Sequence, residues 1–205
     1  FVDNNQWVYL LEVRHGCNDD NKIIEGVYQL AKILKYCELN NIPNTFNTTK
    51  LATTGRGLPC SALTGLYVHY DGGCYFCHRV LEERFKYADL ITKKININNY
   101  IALRAGFDFR NNIVCMSCPI RDYCSSMCVG AINEYWGKNG CISIPIPSTC
   151  KYFVLKYAYL SYKFPKAWPL PEKIRHQLNE TISHIFPKDI FKILDKRMEN
   201  DNDLQ

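Results

Sequence analysis

Cys115-Met-Ser-Cys118-Pro-Ile-Arg-Asp-Tyr-Cys124-Ser-Ser-Met-Cys128 carries four cysteines in fourteen residues, spaced C-x2-C-x5-C-x3-C. Thiolates this close in sequence can converge on one metal centre at little loop-closure cost. Two pairs on offset turns can equally point apart and serve two centres. On either geometry the segment reads first as a metal site.

Working outward, eleven residues separate Cys60 from Gly72, and four separate Gly72 from Cys77. Cys150 follows the central run after a longer gap. The whole pattern is C-x11-G-x4-C, gap, C-x2-C-x5-C-x3-C, gap, C. The chain has 11 cysteines in 205 residues. Disulfide scaffolds are denser and shorter, and an odd number leaves one thiol over. The cysteines are therefore expected to serve metal. Cys37 is the exception: it sits in an apolar helical pattern and is expected to be a small buried residue.

Composition sets the other bounds. Hydrophobic residues make up 47% of the chain and charged residues 22%, enough for a core in one domain or two small ones. No apolar run approaches the ~20 residues of a membrane span, so no membrane partner is expected. Formal net charge is +5, and the basic residues are scattered. A nucleic-acid groove clusters Lys and Arg among aromatics, so no nucleic-acid partner is expected either.

The pattern along the chain suggests three parts. Residues 7–13 (WVYLLEV) form a continuous apolar, β-rich run that suits a strand buried on both faces. Glu12 and Arg14 lie at its carboxyl end, where parallel strands often present groups to a site. From Ile23 to Leu39, apolar residues recur at helical spacing: Ile24, Val27, Leu30, Ala31, Leu34 and Leu39. This reads as a β-α unit from the end of a larger α/β barrel. Residues 40–57 are polar, with Pro43, Gly55 and Gly57, and read as a linker.

Asp71-Gly72-Gly73 lies between two aromatic, β-prone runs and predicts a hairpin over residues 66–77. Residues 82–90 predict a short turn or helix, and residues 100–105 a short helix. Further helices are predicted over 131–136, 151–162 and 172–186, the last opened by Pro171-Glu172. Pro187-Lys-Asp189 predicts a final helix to Met198. Residues 137–149 read as a loop.

Here the cysteine pattern meets a family. It resembles the SPASM domain, the C-terminal extension of many radical S-adenosylmethionine enzymes that modify peptides and proteins. All seven cysteines and Gly72 stand in the family's order and spacing, over roughly residues 57–155. The fold that follows from the resemblance is an α/β remnant, the end of a partial βα barrel, then a small α+β metal-rich domain with a β-hairpin and C-terminal helices. The expected boundaries are 1–56 for the barrel end and linker, 57–163 for the cluster domain, and 164–205 for a helical extension.

The resemblance implies two auxiliary [4Fe–4S] clusters. Carried over by position, Cys60, Cys77 and Cys128 ligate the first, and Cys115, Cys118, Cys124 and Cys150 the second. Metal ligation then supplies much of the folding energy of a domain with little core. Glu12 and Arg14 would face the barrel mouth and the cofactor. The family's C-x3-C-x2-C signature, which holds the cluster that cleaves S-adenosylmethionine, is not in these residues. The chain opens at Phe1, and the missing part, with S-adenosylmethionine and a third [4Fe–4S] cluster, is expected upstream. The expected partners are a peptide or protein substrate and a reductant such as flavodoxin or ferredoxin; the expected location is the cytoplasm.

Some positions stay open. Only three ligands are assigned to the first cluster. Some relatives place a fourth cysteine just before the position of Cys60, where this chain reads Thr53-Thr54-Gly55-Arg56. Cys74, Cys141 or Cys17 could substitute, or one iron could stay open to a substrate thiol or water. His78 stands where the sulfatase-maturing branch of the family has an aspartate base. It could take a proton near neutral pH, donate to a cluster sulfide, or be a surface turn residue. Two other classes fit parts of the pattern: a zinc-binding interaction module, since zinc also takes C-x2-C pairs, and an iron–sulfur electron-transfer or scaffold protein without radical chemistry.

Overall fold

The computed structural model describes residues 19–42, 66–107, 112–124, 129–137 and 144–200. The chain divides into two compact units: residues 50–146 form one, and the segments on either side of them form the other.

In the helical unit, α1 spans Asp20–Leu39. The Asp19 side chain caps it by accepting from Asn21 N–H at 2.9 Å. Ile23, Ile24, Val27, Leu30, Ala31 and Leu34 form its buried stripe, and Cys37 is buried with them. Leu39 is 59% exposed, because the helix is ending there. Asn41 takes a left-handed φ of 52°. Ile42 N–H then reaches back to Cys37 O at 2.9 Å, satisfying an orphan carbonyl of the last turn.

The unit of residues 50–146 is built on a meander. Strands β1 (Tyr67–Val68), β2 (Gly73–Tyr75), β3 (Ala88–Asp89) and β4 (Lys94–Ile95) pair antiparallel in that order. The β1–β2 hairpin falls where Asp71-Gly72 predicted one. Gly72 N–H donates to His69 O at 2.9 Å, and Gly72 takes φ +83°. Asp71 Oδ1 accepts from Gly73 N–H at 2.8 Å, which tightens the turn. A single 3-10 turn, Glu83–Phe85, connects β2 towards β3. Helices α2 (Ile97–Phe107), α3 (Ile113–Met116) and α4 (Val129–Trp136) follow. Phe76, Tyr87 and Tyr100 stack with centroids 4.6–5.3 Å apart and bind the meander to α2.

The chain returns to the helical unit at α5 (Pro147–Lys163), α6 (Glu172–Ile185) and α7 (Ile190–Glu199). Helix α5 therefore runs up to the boundary expected at residues 163 and 164, packs on α1 and α6, and belongs with both. It begins four residues earlier than its apolar pattern predicts, because Pro147 suits a first helical position, where no N–H is needed. It is buried along most of its length. Even Lys156 is inside, its ammonium 4.5–5.7 Å from the rings of Tyr152, Phe153, Tyr157 and Trp168. Among the described residues, no helix is long and apolar enough to cross a membrane.

Candidate metal centre

Five of the seven predicted metal ligands are described: Cys77, Cys115, Cys118, Cys124 and Cys150. Cys60 and Cys128 lie outside the described residues, as do Glu12, Arg14, Cys17 and Cys141.

Cys77 follows directly from the hairpin. Strand β2 ends at Tyr75, and the chain turns at Cys77 so that Val80 N–H donates to Cys77 O at 3.2 Å. The same turn brings Arg79 N–H to 3.4 Å from Cys77 Sγ. An amide aimed at sulfur favours the thiolate, the form that binds metal.

Cys115 and Cys118 share the second turn. Asn112 caps α3 by accepting from Val114 N–H at 2.8 Å, and Cys115 stands in that single helical turn. Cys118 N–H then donates to Cys115 O at 3.1 Å. Burial pushes the Cys115 thiol up, and nearby Cys118 pushes it further, while Arg121 pulls it down. Burial also raises the Cys118 thiol, opposed by the Ile120 N–H that donates to its sulfur. Two neighbouring thiolates repel, and a bound cation would reverse that balance. The chain between Cys118 and Cys124 winds through successive turns, ending with Cys124 N–H 2.7 Å from Ile120 O. Arg121 lies within these turns, and its Nε is buried without an acceptor. A sulfur acceptor beside Cys115 would satisfy it.

The donor chemistry thus fits a thiolate-bound centre: amides on two sulfurs and one orphaned N–H beside a third. Among the described residues, no three His, Cys, Asp or Glu side chains stand together as a metal-holding group. Cys150 lies in the first turn of α5, in the helical unit.

Cys74 has a different environment. It is 1% exposed on β2, and its thiol lies 3.8 Å from Gly72 O. Burial raises its pKa, as does the charge of Asp89. These are the properties of a thiol packed into the meander. Cys37 is likewise buried in α1, with its pKa raised by burial. His78 is exposed, its ring 6.0 Å from that of Tyr67.

The structure also reveals contacts that spacing alone did not suggest. Arg79 Nη2 donates to Glu134 Oε1 at 2.6 Å, joining the turn after Cys77 to α4. Asn133 Nδ2 donates to Glu82 Oε1 at 2.6 Å, and Arg84 Nη2 donates to Asn133 Oδ1 at 2.5 Å. The approach is close at the start of the helix too. A Cβ added at Gly130 would lie 2.6 Å from Arg79 Cβ. Gly130 is two residues after Cys128 in sequence, and Arg79 is two after Cys77. The sequence signal for these contacts was slight: a glycine directly before a predicted helix.

A pocket of ≈ 430 Å³ in the helical unit, lined in part by Lys35, Glu38, Lys163 and Phe164, contains none of the predicted site residues. No family model, curated protein or solved structure matches the chain.

Proposed function

We propose that this chain is the auxiliary iron–sulfur part of a radical S-adenosylmethionine enzyme that modifies a peptide or protein. One observation carries the reading beyond the cysteine spacing. The turn after Cys77 and the helix after Cys128 are packed side by side, through Gly130, Arg79–Glu134 and Glu82–Asn133. Two chain segments far apart in sequence, one two residues after Cys77 and the other starting one residue after Cys128, are thereby packed together.

On this reading, Cys60, Cys77 and Cys128 hold the first [4Fe–4S] cluster, and Cys115, Cys118, Cys124 and Cys150 the second. When bound, such clusters accept an electron or bind a substrate group. The protein's own part is to supply thiolates, aim amides at Cys77 and Cys118, and offer the Arg121 Nε–H as a further donor. His78, exposed beside the Cys77 turn, is the candidate base. Glu12 and Arg14 are assigned to the barrel mouth by the resemblance. S-adenosylmethionine and the third cluster belong to the rest of the parent enzyme. A flavodoxin- or ferredoxin-type reductant and a cytoplasmic location complete the reading.

The test is iron content after anaerobic purification. Cys118→Ala lowers it by about one cluster, while Cys141→Ala leaves it unchanged. Equal losses from the two variants would refute the ligand assignment.

A further inference from the structure

We propose that the pocket in the helical unit binds an organic cation: a primary ammonium carried on an apolar stem. The inference uses the helical unit alone and is independent of the iron–sulfur reading. The cavity, ≈ 430 Å³, lies within the roughly 300–1,000 Å³ of small-molecule sites.

Three helices end at this pocket. Glu38 and Leu39 close α1, Lys163 closes α5, and Met198 and Glu199 close α7. A helix C-terminus carries about half a unit of negative charge on its last carbonyls. A basic side chain in the last turn commonly offsets it, and α1 has none there. In α5 that residue is Lys163, whose ammonium is already held 2.7 Å from Asp195. In α7, Arg197 pairs with Glu25 at 3.0 Å. The carboxylates of Glu38 and Glu199 add to the negative field, and neither has a hydrogen bond or ion pair among the described residues. Lys35 is the opposing charge in the wall. It stands three residues before Glu38 on α1, and no ion pair joins the two. Two carboxylates and three helix ends outweigh it.

The remaining lining is apolar. Phe164 and Met198 are buried, and Leu39 leaves a large apolar side chain open to solvent at the wall. An alkyl or aromatic stem laid against Leu39 would remove apolar surface from water, while its ammonium meets the carboxylates. An anion of the same shape would face Glu38, Glu199 and the helix ends. The ammonium can come from a free amine or from the side chain of a lysine in a peptide, and the recognition chemistry is the same.

The experiment uses the full chain with ¹³C-labelled methionine methyls. Three signals are expected, from Met116, Met127 and Met198. The volume-conserving Met198→Leu identifies the one in the pocket. Hexylamine is titrated at low salt, with hexanoate and hexanol as ligands of opposite and of no charge. The Met198 signal should shift saturably with hexylamine and more weakly with the other two. Glu38→Gln and Glu199→Gln should each weaken hexylamine binding by about two- to fivefold, and Lys35→Met should strengthen it by a similar factor. A gain of binding separates charge recognition from loss of folding, which cannot produce one. Raising sodium chloride to about 0.5 M should weaken binding.

The peptide acetyl-Gly-Gly-Lys-Gly-Gly-amide is the second arm. A saturable shift with it assigns the pocket to a lysine side chain; a shift with hexylamine alone assigns it to a free amine. Hexanoate or hexanol binding as tightly as hexylamine would overturn the proposal. So would weaker hexylamine binding in Lys35→Met, or no saturable shift with either amine. No readout here involves iron, so failure of this site leaves the cluster reading standing, and a chain without iron leaves the site standing.

Discussion

Gly72 is the position where the cysteine pattern and the backbone make the same demand. The hairpin itself requires a glycine there, in two parts. The residue takes φ +83°, which costs an L side chain about 1–2 kcal/mol. An added Cβ would also lie 2.7 Å from Ile91 Cγ1 and 3.3 Å from Ile91 N. Overpacking of this kind adds about 1 kcal/mol or more, although Ile91 is 74% exposed and can partly swing away. Gly72→Ala should therefore destabilise the unit of residues 50–146 by about 2–3 kcal/mol.

The two parts can be separated. Ile91→Ala alone should cost under about 0.5 kcal/mol, as exposed positions do. In the Gly72→Ala background it should recover about 1 kcal/mol, the steric share, and leave the φ share in place. Urea unfolding followed by far-UV circular dichroism reads all four corners of the cycle. A Gly72→Ala loss below about 0.5 kcal/mol would refute the conformational argument. No recovery with Ile91→Ala would refute the contact. The consequence reaches Cys77, because the hairpin register decides where the chain leaves β2 to present it.

Two further outcomes follow from the ionic and hydrogen-bonded groups. A hydrogen bond from Lys86, then the amide of Thr92, hold the Asp89 carboxyl down at about 2. A carboxylate with a lowered folded pKa stabilises the fold above its unfolded value of 3.8, and that contribution is lost as pH falls towards 2. Asp89→Asn should therefore flatten the stability profile between about pH 4 and 2, measured by thermal unfolding at stepped pH; an unchanged slope would contradict it. In the helical unit, Tyr159 O–H donates to Asp195 at 3.0 Å, and Lys163 pairs with the same oxygen at 2.7 Å. Tyr159→Phe should cost about 1.5 kcal/mol in urea unfolding, since the bond is to a charged group; a neutral result would mean that Lys163 alone satisfies Asp195.

Local structure was legible wherever a side-chain rule was strong. The stripe Ile24–Val27–Leu30–Ala31–Leu34 identified α1, and Asp71-Gly72 identified the hairpin. Pro171-Glu172 marked the start of α6, with Leu178 and Ile182 on its buried face. Leu39 was read as part of the apolar stripe, but the Asn41 cap ends the helix there and leaves it in solvent. Strands β3 and β4 were not legible, because two-residue strands show no alternation, and the Ala88–Ile95 pairing forms in three dimensions. The Arg79–Glu134 contact was hidden for the same reason: the two residues are 55 apart in sequence, and no spacing rule connects them. Cys74 is buried on β2, a burial that its place beside Cys77 in sequence did not foretell.

The central claim is that these thiolates hold iron–sulfur clusters. Iron, acid-labile sulfide and zinc, measured in the anaerobically purified and reconstituted chain, test it most directly. The account predicts a brown protein with iron and sulfide in equal amounts, about eight of each per chain for two filled [4Fe–4S] clusters. A colourless chain that carries zinc, with neither iron nor sulfide, would contradict it.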